Sequence, residues 1–152
     1  MHHLSQSFVR NRLLAALPSD DFAQLAPALQ PVNLELKQVL HAPGEPVEAA
    51  YFLESGTISM LAPLEGGELL EVGMVGKEGM VGLPVILGPD STTTEAMVQI
   101  PGTGWRIPRR ALREALDRSP ALWVLLLRYV QAFHNPGLTH EIRRLNLGEL
   151  TG

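Results

Sequence analysis

The chain has 152 residues, 45% hydrophobic and 18% charged, with a formal net charge of −4. That is the composition of one globular domain able to enclose a proper core, and it excludes a disordered chain. The absence of cysteine excludes disulfide scaffolds, thiolate zinc sites and cysteine nucleophiles, and no run of 18 apolar residues is available to span a membrane.

Met1-His2-His3-Leu4-Ser5-Gln6 lacks the charged-then-apolar pattern of a secretory signal, so the cytoplasm is the expected location. The net charge hides an asymmetry. Residues 1–104 hold 4 basic and 12 acidic side chains, a balance of −8, whereas residues 105–152 hold 8 arginines and 4 acids, a balance of +4. An acidic front of this size argues against nucleic acid lying on that surface, because phosphate neutralisation needs Lys and Arg.

In chain order, residues 11–30 read as helices. Leu13, Leu14 and Leu17 form one apolar stripe, and Ser19 looks like the N-cap of a second helix with Asp20 and Asp21 in its first turn. Phe22, Leu25, Ala26 and Leu29 continue at helical spacing until Pro31. From about Val32 to Ile107 the pattern changes to short strands, at Gln38–His41, Ala50–Glu54, Thr57–Ala62, Leu69–Val75, Met97–Ile100 and Gly104–Ile107. Eleven of the 14 glycines fall in this part, between Gly44 and Gly104. Many short strands with glycine punctuation indicate a sandwich, barrel or jelly roll. Helices return after Pro108, first over Arg109–Asp117 and then from Pro120, where proline at the first helical position favours a start. The run from Ala121 to Phe133 is apolar on nearly every face, so it needs cover on two sides, one of them supplied most simply by a second copy. Trp123, Leu126, Leu127 and Val130 are the expected dimer stripe. His134-Asn135-Pro136-Gly137 breaks the helix, and residues 138–152 leave room for a short amphipathic turn with Leu138, Ile142 and Leu145.

Catalytic patterns are scarce. The five histidines (2, 3, 41, 134 and 140) form no HxH or HExxH spacing, and His41 alone falls in the strand region, too few for a cupin metal site. No serine lies in a nucleophile elbow, and the acid pairs Glu68/Glu71 and Asp20/Asp21 read best as solvated faces or caps. Arg106, Arg109, Arg110 and Arg113 recur at i, i+3, i+4, i+7, the spacing of a solvated helix face or of a dock for an acidic partner. One segment carries a ligand argument. Gly76–Gly88 is a glycine-flanked turn into a short helical stretch, followed by the hydroxyls of Ser91, Thr92, Thr93 and Thr94. Backbone amides at such a turn suit an anion, and the residues alone equally allow an ordinary polar loop.

Gly44-Glu45, Tyr51-Phe52-Leu53, Gly56-Thr57-Ile58, the Gly76–Gly82 turn and Ala96-Met97-Val98 together resemble the cyclic-nucleotide-binding β-roll of Crp/Fnr transcription regulators. The resemblance spans about residues 11–133. It implies a mainly β fold, a double-stranded β-helix or jelly-roll-like β-roll, with N-terminal helices and a C-terminal dimerisation helix. It also implies two parts, a binding domain over 1–133 and a divergent tail over 134–152. Its phosphate-binding cassette places ligand contacts at Met80, Val81, Gly82, Leu83, Pro84 and Val85, and at Thr92, Thr93, Thr94, Glu95 and Ala96. Family members that bind nucleotides carry a glutamate after the turn glycine and an arginine further on; here those positions are Leu83 and Thr94. Losing the charge-assisted pair costs about 1.5–3 kcal/mol, or one to two decades in affinity for cyclic AMP. The resemblance therefore implies a non-enzymatic sensor for a small-molecule effector, a cyclic nucleotide or another small anion, acting as a homodimer. Only 15 residues follow Gly137, too few for the helix-turn-helix module of such regulators. A regulator shortened or frameshifted before its DNA reader, with no direct DNA contact of its own, is the expectation. The alternative is an interaction module whose pocket is vestigial and plugged by Met80 or Met97. A cleft gathering Glu68, Glu71 and His41 would instead indicate an enzyme.

Overall fold

The computed structural model describes residues 4–87 and 92–133, so the expected break at His134-Asn135-Pro136-Gly137 and the tail after it lie outside the described residues. The strands are β1 Gln30–Leu34, β2 Val39–His41, β3 Ala49–Leu53, β4 Thr57–Pro63, β5 Leu69–Val75, β6 Met80–Val81, β7 Glu95–Ile100 and β8 Gly102–Pro108. The helices are α1 Arg12–Ala16, α2 Ser19–Leu25, α3 Leu83–Leu87, α4 Arg109–Arg118 and α5 Pro120–Phe133. Two four-stranded sheets form, in the orders β1-β8-β3-β6 and β2-β7-β4-β5, with every pairing antiparallel. The result is a jelly-roll β-roll flanked by helices.

Two cores follow from strand alternation. Leu34, Leu53, Ile58, Met60, Val75, Val81, Ala96 and Val98 fill the space between the sheets. On the outer face of the first sheet, Ala50, Phe52 and Ile107 pack with the helices through Leu14, Phe22, Leu112, Leu122 and Leu126. Strand β3 serves both cores, which explains why Ala-Ala-Tyr-Phe-Leu is apolar without alternation: both of its faces are covered.

The strand region begins earlier than the sequence indicates. Pro31 does not end a helix; it lies in β1, opposite Trp105, on an edge strand where a missing N–H is tolerated. Helix α2 instead stops at Leu25 and tightens into a 3-10 turn over Ala26–Ala28, because Pro27 cannot donate the next helical hydrogen bond. Ser19 is the first residue of α2 rather than its cap, and makes no side-chain cap bond there. The expected start of α5 is present, with the Ser119 hydroxyl accepting from Leu122 N at 3.0 Å while it donates to Asp21.

The capping residue that organises the N-terminus is Asn11, which is fully buried. Its Oδ1 accepts from Leu13 N and Leu14 N, each at 3.1 Å, and starts α1. Its Nδ2 donates to Leu53 O and Gly79 O, each at 2.8 Å, so one side chain fastens α1 to the end of β3 and to the turn before β6. The Glu54 carboxylate accepts from Arg10 N and Asn11 N beside it. Asn11→Ala removes a cap and strands two buried carbonyls, a loss of about 2–4 kcal/mol. Urea denaturation of the variant is expected to show a lower midpoint at unchanged slope.

Candidate ligand site in the β-roll

The segment joining β6 to β7 is held at both ends by strands. At its start, Met80 and Val81 pair with Phe52 and Tyr51. Gly82 follows at φ +111°, and a Cβ there would lie 2.9 Å from Ala50 Cα and 3.0 Å from Ala49 O, so only glycine fits. Val85 N donates to Gly82 O at 3.0 Å and opens the turn of α3, and Arg113 Nη1 donates to Val85 O at 3.0 Å, tying α3 to α4. At the far end, Gly44 N donates to Thr92 O at 2.9 Å, the Thr92 and Thr94 hydroxyls lie 3.1 Å apart, and Ala96 pairs with His41.

The Gly76–Gly79 turn is not an open anion cradle. Gly76 N donates to the Glu78 carboxylate, Gly79 N donates to Gly76 O, and Lys77 O accepts from Arg12 N at 2.8 Å. Gly79 is required here because the Tyr129 ring of α5 occupies the place of a Cβ. The turn is a structural clamp.

The residues expected to contact ligand fall into distinct groups. Met80, Val85 and Ile86 are buried in the helix-side core, and Leu83 packs against it. Pro84 is buried as well. Val81 and Ala96 belong to the core between the sheets. Thr92, Thr94 and Glu95 are half-buried and Thr93 is exposed. Met97 lies on the face of β7 opposite Ala96 and Val98, so neither Met80 nor Met97 plugs the roll.

The roll contains a cavity of about 500 Å³, lined by Leu40, His41, Ala49, Tyr51 and Arg106, with Glu45, Pro46 and Glu48 also bordering it. It lies between the two anchors of the β6–β7 segment: Ala49 stands against Gly82, and His41 is the partner of Ala96. Leu40 and Tyr51 pack against the core between the sheets, and Arg106 is the cross-strand partner of Tyr51. Alternation signals this wall only weakly in the sequence, because an arginine in a strand normally reads as surface. The arginine spacing at 106, 109, 110 and 113 is not one helix face. The helix begins at Arg109, which donates to Val47 O, whereas Arg106 is on β8, and Arg110 is exposed 3.8 Å from Glu114. His41 borders Glu45 and Glu48 rather than Glu68 and Glu71, and Glu71 accepts from the Ser59 hydroxyl on β4. Among the described residues no group of three or more His, Asp or Glu side chains could hold a metal ion, and no helix is long and apolar enough to cross a membrane.

On α5, Leu126 and Val130 are buried in the domain's own core, while Trp123 and Val124 are 40% and 47% exposed and Leu127 is half-buried. The expected dimer stripe is therefore divided between two faces.

His41 is 8% exposed, its Nε2 has no partner among the described residues, and burial pushes its pKa below the ordinary imidazole value. The folded state thus binds the proton less readily than the unfolded one. Its contribution is complete above about pH 6.5 and is lost as pH falls toward the depressed folded value. Thermal melts between pH 7 and pH 5 are expected to show a smaller drop in Tm for His41→Gln than for the parent chain.

The cyclic nucleotide-binding domain family matches residues 31–119. Among solved structures, the chain is similar to the regulatory subunit of a cAMP-independent protein kinase A from Trypanosoma brucei, at 19% identity and TM-score 0.71 over 91% of this chain and 49% of that one. It thus spans about half the length of that subunit. It is also similar to the sensor domain of the transcriptional regulator DNR from Pseudomonas aeruginosa, at 18% identity and TM-score 0.65, covering 88% of this chain and 87% of that one. The N-terminal domain of a transcriptional regulator from Streptomyces coelicolor A3(2) gives 22% identity and TM-score 0.63, covering 81% and 86%. A search of curated proteins found no match. At these identities the structural likenesses show the fold, shared by transcription regulators and kinase regulatory subunits, while the family match covers more than half of the chain. The family that matches is one of binding domains, and cyclic nucleotides are within its range of ligands. The chain belongs to the cyclic nucleotide-binding domain family.

Proposed function

We propose that the chain is the ligand-sensing domain of a Crp/Fnr-like transcription regulator, cytoplasmic and dimeric, with a pocket that has diverged from cyclic AMP. The observation that carries this reading is the open cavity of about 500 Å³ inside the roll, placed between the two ends of the β6–β7 segment and unplugged by methionine. Leu83 and Thr94, which do not line this cavity, stand where the cassette of the family carries charges. Similarity to sensor and N-terminal domains of two transcription regulators, nearly end to end on both chains, favours a regulator over a kinase subunit. The domain over 1–133 then senses and residues 134–152 are a separate tail. The acidic roll gives DNA no basic surface, so direct DNA contact is not part of the sensing role.

A second reading, an interaction module with a vestigial pocket, is favoured by β5. This strand is the edge of its sheet, and Leu69, Leu70 and Val72 are each about half exposed. An unpaired apolar edge is a template for strand addition.

Calorimetry separates the two. Thr94→Arg restores the charged partner of a cyclic phosphate and is expected to tighten cyclic AMP binding by about 10- to 100-fold over the parent. An interaction module with a vestigial pocket gives no heat with either chain. For the dimer, sedimentation of the parent at micromolar concentration is expected to show twice the monomer mass. Trp123→Glu, on the exposed face of α5, is expected to yield monomer with an unchanged circular dichroism spectrum, whereas a monomeric parent overturns the dimer.

A further inference from the structure

Residues 1–104 carry a balance of −8, yet a guanidinium enters the cavity of this acidic roll from β8. Cross-strand pairing puts Arg106 between Gln30 and Tyr51, on the face that looks into the roll. Its one hydrogen bond among the described residues is from Nη1 to Gln30 Oε1 at 3.2 Å, and it makes no ion pair among them. Glu45 and Glu48 border the same cavity, so carboxylates are near enough to share it without closing on the arginine. An arginine has five N–H donors in a planar fork that matches an oxyanion. Beyond that bond the fork has no hydrogen-bond partner among the described residues.

We propose that Arg106, on β8, holds the negative charge of a small monoanionic ligand, a carboxylate or a phosphodiester. Leu40, Ala49 and Tyr51 flank the ligand's apolar part. The single guanidinium pairs with one negative group, and the exposed carboxylates of Glu45 and Glu48 at the rim disfavour a second. This assignment moves the cation that recognises ligand away from position 94, where threonine stands, and it rests on reading the cavity as the ligand pocket.

The test is calorimetry on the full chain with three probes: benzoate as aromatic carboxylate, cyclic AMP as phosphodiester, and adenosine as the neutral counterpart of the latter. At least one anion is expected to bind more tightly than adenosine. Arg106→Gln is expected to weaken that anion by about 10- to 100-fold, the effect of removing a charge-assisted fork. Arg106→Lys, which keeps the charge and loses the fork, is expected to fall between the two, and it decides the matter if the glutamine variant does not fold. Which anion responds separates carboxylate from phosphodiester. Adenosine binding as tightly as both anions, or an anion affinity unchanged in both Arg106 variants, overturns the assignment. If Thr94→Arg nevertheless gains cyclic AMP, the pocket stands and only the role of Arg106 falls. If no probe binds the parent and Thr94→Arg gains nothing, the pocket reading falls with it.

Discussion

The buried amide of Asn11 makes all four of its hydrogen bonds, and the arrangement of the domain depends on them. Two start a helix and two reach across to β3 and to the turn preceding β6. Because an unpaired buried amide or carbonyl costs about 1–3 kcal/mol, the alternatives to this geometry are all penalised together. The same turn is closed from the other side by Tyr129, packed over Gly79 in α5, and from below by Arg12 N on Lys77 O. N-terminal and C-terminal helices, far apart in sequence, thus grip one four-residue turn at the head of the β6–β7 segment.

That grip fixes where the segment can go. Gly82 is forced against Ala49 and Ala50, and the chain then runs through α3 before Thr92 meets Gly44 and Ala96 pairs with β2. The short helix between these anchors has too few residues to be stable alone. It is held by Val85 and Ile86 in the helix-side core and by Arg113 on the Val85 carbonyl. The side chains of Val85 and Ile86 are therefore committed to packing.

Much of this was legible in the sequence because it depends on local rules. Glycine punctuation located most of the strands, and the proline after Ser119 located the start of α5. What was not legible depended on pairing across the chain. Pro31 reads as a helix stop until β8 supplies it with an edge, and Asn11 reads as an unremarkable polar residue until Leu53 and Gly79 converge on it. The α5 stripe misleads for a related reason: a helix apolar all round does not say which face its own domain takes, and here Leu126 and Val130 face inward. Positions 83 and 94 were legible as departures from a cassette, but the cavity lined by Leu40, His41, Tyr51 and Arg106 was not, since these residues come from three strands.

The placement of charge in the roll follows from the same topology. A β-roll of this size has one interior, and β8 and β3 bring Arg106 and Tyr51 to its mouth while β2 brings His41. Burial keeps His41 neutral near pH 7, so it adds no second cation beside the guanidinium. With Gln30 as its neutral partner, Arg106 keeps its field undiminished by a paired carboxylate, while Glu45 and Glu48 are exposed and screened by water. A buried cation costs less when a counter-ion is always present, so a strand arginine kept half-buried without one is poised for an anion that comes and goes. That reversibility is what a sensor requires and what a purely structural ion pair would remove.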